Sequence, residues 1–352
     1  MDFLNQTTTK NNSNEIVVEK EDLLNFIYED LQLYFYSPLS VICIIFNLLG
    51  VVTLLDTQRC KHPIYKYIRI YFIIGVFIGS FILLSIFTHV PRYLPSFSQS
   101  YFARIYTCSL VFSFTITFYF YGNVQNILMA IERLSTFALE FQSFRHLEPY
   151  KLSFYLFIAC VLINLPTFFI LTAHGENDIV STKLHDCERT NFGESKYSNI
   201  LLVTILTVDN VITLIIEIVG HVLNAFYFQR FIENSFIVRN ITKIQNAQRV
   251  QSNNQPTQTL NNGRKINWFE KKIDQPQKFF PLFTLGTNIT QLILCFIYIE
   301  TLDDLHGYLN FVSEHSLYLV YLIRHGSMFF FMCLFDKNFK DSLKKNILRM
   351  IN

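Results

Sequence analysis

One apolar run, Ile68–Thr88, reads IRIYFIIGVFIGSFILLSIFT and carries a single charged residue, Arg69. An α-helix rises ~1.5 Å per residue, so about 20 residues of this kind are needed to cross the ~30 Å hydrocarbon core of a bilayer. The strands of membrane barrels alternate in polarity instead and run for only about 10 residues. The run therefore predicts a membrane-spanning helix.

Six more runs of similar length and composition follow or precede this one. The whole chain is 51% hydrophobic and only 16% charged, whereas soluble domains carry roughly a quarter charged residues. We therefore predict an all-α bundle of seven transmembrane helices over residues 32–335, with an extracellular tail (residues 1–31) and a short amphipathic cytoplasmic helix and tail (residues 336–352). The predicted spans are Gln32–Leu55, Ile68–Thr88, Ala103–Ile131, Leu152–Ala173, Asn199–Phe228, Phe279–Ile299 and Phe311–Phe335.

The basic residues predict the orientation of these spans. With the N-terminus outside, 20 of the 29 Lys and Arg residues fall in cytoplasmic segments and 7 fall in outer segments. Cytoplasmic loops carry the excess of basic residues in membrane proteins, so this orientation is favoured, in the plasma membrane. Two sequons, at Asn5 and Asn11, then lie in the outer tail as candidate glycosylation sites.

The cysteines fit the same topology. Of the seven, Cys108 and Cys187 are the two that fall near the oxidising outer face, at the start of the third span and in the loop after the fourth. A disulfide between them is therefore compatible with the predicted arrangement.

The third span carries a more specific pattern. Cys108 at its outer end is followed 25 residues later by Arg133, within the sequence Glu132-Arg133-Leu134. In these features the chain resembles the rhodopsin-like G-protein-coupled receptors, which have an outer-end Cys and, at that distance, the Arg of an acid–Arg–Tyr motif. Asn47 in FNLLG and Pro63 in KHPIY are similar to other motifs of that family.

The sequence also departs from the family. Leu134 replaces the motif Tyr, Gly75 stands where the family has a second-helix Asp, and residues 328–332 read MFFFM where the family has Asn-Pro-x-x-Tyr. The chain thus resembles divergent members, such as invertebrate orphan, chemosensory or peptide receptors. The resemblance implies that Glu132 and Arg133 form the switch that couples to a G protein. The alternative is that both are charges that anchor a helix end at the membrane interface.

Polar residues also recur inside the predicted spans. An ionisable group that faces lipid costs a few kcal/mol, so these residues should point into the bundle, as a ligand site or buried relay or as interhelical hydrogen bonds. On one face of the fifth span lie Asn210, Thr213, Glu217, His221 and Asn224.

Arg324 lies deep in the seventh span and needs a partner. Glu217, backbone carbonyls, Asn288 and Gln291 are the candidates. Which of them it contacts is left open by the sequence.

Charge favours one class of ligand over others. Three predicted outer segments are acidic: the N-terminal tail, the second outer loop and residues 300–315. A negative electrostatic field concentrates cations. A cationic peptide is therefore slightly favoured over a small chemosensory molecule. The sequence shows no phosphate-binding Gly loop and no zinc motif, so we expect no enzyme activity, no cofactor, no metal and no nucleic-acid partner. The alternative function is a seven-span transporter or ligand-gated channel.

Overall fold

The computed structural model describes residues 27, 30–55, 62–88, 100–173, 187–231, 283, 286–294, 297 and 308–351. The sequons at Asn5 and Asn11, most of the loop predicted between the fifth and sixth spans, and much of the sixth predicted span lie outside these residues. The described part is helical apart from a two-stranded hairpin. Its main helices are α1 (Ser37–Leu55), α2 (Pro63–Thr88), α3 (Phe112–Phe137), α4 (Pro149–Asn164), α5 (Lys196–Phe231), α6 (residues 286–294), α7 (Tyr308–Phe335) and α8 (Lys337–Ile351).

Within the described residues, five segments are long and apolar enough to cross a membrane, so the chain is a multi-pass membrane protein. They coincide with the first, second, fourth, fifth and seventh predicted spans, while the total of seven stays a prediction. The five are Gln32–Leu55, Pro63–Phe87, Pro149–Phe169, Lys196–Phe231 and Ser316–Phe335.

Helix α3 is long enough to span but is not one of the five. It contacts α2, α4 and the π-helical segment of α5 (Thr207–Ile212). Its polar side chains are therefore buried against protein, and they make the helix less apolar than its neighbours. These buried residues are Ser113, Thr115, Thr117, Asn123, Gln125, Asn126 and Glu132.

Large apolar side chains are exposed along the outer faces of several helices. On α1 they recur at the spacing of one helical face. A water-soluble protein rarely exposes a continuous apolar stripe of this length, so this face is suited to lipid. The exposed α1 residues are Val41, Ile42, Ile45, Leu48 and Val52.

Helices α1 and α2 approach closely because glycines lie at their interface. A Cβ atom at Gly75 would lie 2.5 Å from Oδ1 of Asn47, and one at Gly50 would lie 2.7 Å from the ring of Phe72. Asn47 is fully buried and donates from Nδ2 to the carbonyl of Cys43 at 2.8 Å. The predicted first-helix Asn thus fills the space that a side chain at position 75 would need.

The fourth span ends earlier than predicted. Helix α4 stops at Asn164, continues as a 3₁₀ turn over Leu165–Phe169, and gives way to a strand. Pro166 lies in that turn, and proline lacks the N–H that an α-helix would need there. Strand β1 (Leu171–Ala173) pairs antiparallel with β2 (Cys187–Arg189), where the sequence had predicted helix up to residue 173.

The predicted amphipathic helix after the last span is present as α8. Asp336 caps its start: one carboxylate oxygen accepts from the N–H of Phe339 at 2.9 Å, and the other accepts from the hydroxyl of Tyr65 at 2.7 Å. Phe339 is fully buried and packs against the rings of Phe72 and Phe329. These contacts fasten α8 to α2 and α7.

Candidate functional site

A chain of hydrogen bonds crosses the interior of the bundle. Arg324 of α7 donates from Nη1 to the hydroxyl of Tyr119 on α3. That hydroxyl donates to Oδ1 of Asn288 on α6 at 3.4 Å, and Asn288 donates from Nδ2 to Oε2 of Glu217 on α5. Each donor points from the cation toward the carboxylate. We call these four residues the relay.

Both charged ends of the relay are buried. The side chains of Glu217 and Arg324 are each 1% exposed. Burying a charge without a partner costs several kcal/mol. The Tyr119 hydroxyl and the Asn288 amide, which lie between the two charged groups, compensate part of this cost. Of the candidate partners for Arg324, Asn288 and Glu217 are linked to it indirectly, through the hydroxyl of Tyr119, which was not among the candidates.

The rest of the polar stripe on α5 also faces the bundle. His221 lies one turn from Glu217, with Nε2 3.6 Å from Oε1 of that carboxylate. Asn224 donates to the carbonyl of Ala130 on α3 at 2.8 Å. The side chain of Asn210 lies outside the described residues. The stripe therefore provides both a buried acid and the hydrogen bonds that hold α5 to α3.

Aromatic rings surround the arginine end of the relay. The guanidinium carbon of Arg324 lies 5.1 Å from the ring centroid of Tyr119, a favourable cation–π distance. Next to it, His325 is buried and stacks on the ring of Tyr71, with centroids 4.9 Å apart. Sequence reasoning missed both tyrosines, because one tyrosine among 19 carries no periodic signal of its own.

The C-terminal part of α3 holds the Glu132–Arg133 pair. The Glu132 side chain, just beyond the predicted span, is 1% exposed, and its Oε1 lies 3.9 Å from Nδ1 of His62. Burial raises the pKa of Glu132 against the opposing effect of Arg145. Burial and the positive charge of Arg145 lower the pKa of His62. His62 is therefore neutral near pH 7, and its approach to Glu132 is a contact between a carboxyl and a neutral ring. Arg133 follows, half-buried.

The opposite end of the bundle carries the β-hairpin. Strand β1 packs against the π-helical segment Tyr106–Val111, which leads into α3 and includes Cys108. Cys187 begins β2, in register with Ala173 of β1. The side chains of Cys108 and Cys187 lie outside the described part of the structure, so their disulfide stays a prediction. The backbone brings the two segments that carry them close together.

The arrangement links helices through hydrogen bonds between their side chains. The relay joins four helices through a hydroxyl and an amide, which exchange hydrogen-bond partners at low cost. The three described cysteines outside the hairpin region, Cys43, Cys160 and Cys333, are free thiols, and the first two are buried.

The chain matches no protein-family model, and no curated protein matches it significantly. Its resemblance to receptors therefore rests on its own sequence features.

Proposed function

We propose that the chain is a G-protein-coupled receptor, which transmits the binding of an extracellular ligand to a cytoplasmic heterotrimeric G protein. The observation that carries this proposal is the relay. Arg324 of α7 and Asn288 of α6 both contact Tyr119 of α3, and Asn288 links Glu217 of α5 to them. Helix α3 is also the helix that ends in Glu132 and Arg133. A movement of α5, α6 or α7 against α3 must break or exchange a hydrogen bond in the relay.

Because of the buried charges, the bundle is expected to switch between two distinct hydrogen-bonded arrangements. Glu217 and Arg324 must keep polar partners in any arrangement of the bundle, because an unpaired buried charge costs several kcal/mol. Arrangements between two paired states are therefore disfavoured. A ligand that binds one state more tightly shifts the population toward it, by no more than its difference in affinity for the two states.

Glu132 and Arg133 are the proposed output of this movement. The planar guanidinium of Arg133 can exchange a carboxylate for backbone or aromatic partners on another protein. Glu132 is buried beside the first cytoplasmic loop at His62, where it is placed to restrain the end of α3. Release of this restraint would make Arg133 accessible to the G protein.

The ligand is proposed to bind at the outer end of the bundle, beneath the hairpin. The excess of basic residues in the loops opposite supports an extracellular N-terminus in the plasma membrane. The acidic outer segments favour a cationic peptide, since they concentrate positive ligands near the entrance.

The test compares parental cells with cells that lack heterotrimeric G proteins, both expressing the chain. Each is exposed to the same basic peptides and small molecules, while second-messenger level and membrane current are recorded. A receptor gives a second-messenger response in parental cells, which disappears in the deficient cells and returns when a Gα subunit is restored. A ligand-evoked current that persists without G proteins would contradict the proposal and support the transporter or channel alternative.

A further inference from the structure

The guanidinium of Arg324 has hydrogen-bond donors that the relay does not use. Its Nη1 donates to the hydroxyl of Tyr119. Its Nε and Nη2 are buried as well, and neither has an acceptor among the residues that the structure describes. These two groups share one edge of the planar guanidinium, so one complete side of a buried cation lacks an acceptor. Buried donors normally have a partner, and this edge is therefore a candidate binding site.

Two neighbouring side chains add further donors. The hydroxyl of Tyr71 on α2 lies near the guanidinium of Arg324, yet its proton has no acceptor within the described part of the chain. The two ring nitrogens of His325 are buried without a partner too, and a neutral imidazole carries a proton on one of them. Among the described side chains around Arg324, donors thus outnumber acceptors.

The positive charge of Arg324 is only partly balanced by the relay. The hydroxyl of Tyr119 and the amide of Asn288 stand between this cation and the carboxylate of Glu217. That carboxylate has a second candidate partner, since Nε2 of His221 lies 3.6 Å from its Oε1. An uncompensated charge in the membrane interior is costly. Water would accept the hydrogen bonds but brings no charge, whereas an anion provides both.

We propose that the Nε–Nη2 edge of Arg324, together with the hydroxyl of Tyr71, binds a small monovalent anion, either chloride or a carboxylate group. The guanidinium edge can donate two parallel hydrogen bonds to one anion, and the phenol supplies a third donor. A single negative charge matches the single cation, whereas a divalent anion would leave a net charge. The bound anion would link α7 to α2, as the contact with Tyr119 links α7 to α3.

The side chains around this site are held in place by packing. Tyr71 is fully buried, and its ring stacks on His325 with centroids 4.9 Å apart. Gly122 of α3 faces that imidazole closely, because a Cβ atom at position 122 would lie 3.2 Å from its Cε1. The ring of Tyr119 lies 5.1 Å from the guanidinium carbon of Arg324. Binding an anion would therefore require little further ordering of these side chains.

The test measures the thermal stability of the purified full-length protein in lipid nanodiscs. Melting temperatures are compared in sodium chloride, sodium formate and sodium gluconate at equal concentration, so that the cation and the ionic strength stay constant. Gluconate is the reference, because it is too bulky for a buried site. A ligand that binds the folded state raises its stability with the ratio of ligand concentration to Kd. We expect chloride or formate to raise the melting temperature several degrees above gluconate, with a saturable concentration dependence.

The two anions distinguish the sources of the negative charge. A rise in chloride alone would assign the site to a halide ion. A rise in formate alone would assign it to a carboxylate group, such as one carried by a ligand. Equal melting temperatures of the wild-type protein in all three salts would overturn the proposal.

Two variants and one control complete the test. Arg324→Gln should abolish the dependence on the anion. Tyr71→Phe keeps the stacked ring and removes the hydroxyl, so the half-maximal anion concentration should rise several-fold. Tyr121→Phe removes a buried hydroxyl that donates to the carbonyl of Ser153, and it should keep the wild-type dependence.

The milder variant keeps the proposal testable if Arg324→Gln does not fold. An unchanged half-maximal concentration in Tyr71→Phe would contradict the site as described, as would a full anion effect in a folded Arg324→Gln protein. The assay needs no signalling, so its outcome is independent of the receptor proposal.

Discussion

Arg133 is the residue on which the proposed contact with a G protein depends. Glu132→Gln removes the buried carboxylate charge beside it and should raise basal second-messenger output per surface receptor. Arg133→Ala should lower that output several-fold, because it removes the guanidinium that we propose contacts the G protein. The double variant should be as low as Arg133→Ala. Output is measured without ligand and normalised to surface expression.

The anchor alternative predicts a different pattern for the same variants. If Arg133 only holds the helix end at the interface, Arg133→Lys should replace it fully and Arg133→Ala should reduce expression alone. Undiminished output from Arg133→Ala at equal surface level would rule out the proposed coupling role.

Tyr119 is the branch point of the relay, and its hydroxyl can be tested alone. Tyr119→Phe leaves a charged donor of Arg324 without its acceptor, which costs about 1–3 kcal/mol, and it disconnects α6 from α7. We expect a lower melting temperature together with altered basal output. Tyr121→Phe is the matched control on the same helix, since the Tyr121 hydroxyl donates to the carbonyl of Ser153 at 3.0 Å and is not part of the relay.

The two variants should differ in function more than in stability. Basal output is expected to change in Tyr119→Phe and to stay at the wild-type level in Tyr121→Phe. Equal basal output of both variants and the wild-type chain would show that the relay has no part in signalling.

At this scale the sequence predicted the ionisable residues but not their connections. Glu217 and Arg324 stood out because charges are rare within apolar spans. Tyr119 and Asn288 complete the relay only through contacts between segments that are 169 residues apart. Helical periodicity reports neighbours one turn away and carries no information on such distant pairs.

The β1–β2 hairpin is the element that the predicted disulfide would hold in place. A bond between Cys108 and Cys187 would tie it to the start of α3, worth ~2–4 kcal/mol through the restricted unfolded chain. Cys108→Ser, Cys187→Ser and the double variant should therefore lose surface expression to the same degree. Peptide mapping without reductant checks the bond directly, and two free thiols would disprove it.

The docking of α8 rests on one aromatic side chain. Phe339→Ala removes a ring that is fully buried against Phe72 and Phe329, and truncations of this kind cost ~3–5 kcal/mol. We expect a clear loss of thermal stability. Leu348→Ala, on the same helix but half-exposed, should change little. Similar melting temperatures for the two variants would argue that α8 is not held by this contact.

The elements show where local patterns suffice and where they do not. The spacing of apolar residues after Asp336 predicted α8 correctly, because a helix that lies in the membrane interface has one apolar side and one polar side. The end of α4 was misplaced because residues after Pro166 remain apolar while the proline and the paired strand end the helix. Hydropathy measures the tendency to leave water and does not register a missing backbone donor.

The topology of the whole chain is the next prediction. With the N-terminus outside, Asn5 or Asn11 should carry a glycan, which a glycosidase removes with a shift in electrophoretic mobility. Substituting both with Gln should abolish the shift. A C-terminal tag should react with antibody only after the cells are permeabilised. A tag that is accessible on intact cells would invert the orientation and refute the receptor proposal.

At the scale of the molecule, composition predicted a multi-pass membrane protein, and five of the seven predicted spans are long and apolar enough in the structure. Helix α3 differs for a physical reason. A helix surrounded by others needs no lipid-facing side, so it can carry Asn123, Gln125 and Asn126 in its interior contacts. The more central a helix is, the weaker its hydropathy signal becomes.

The contact between Gly75 and Asn47 constrains how this sequence can change over time. A methyl group at position 75 would collide with the Asn47 amide at 2.5 Å. A substitution of Gly75 by a larger residue therefore requires a smaller residue at position 47, introduced earlier or at the same time. Among descendants of a common ancestor the two positions should co-vary, with a large residue at one matched by a small residue at the other.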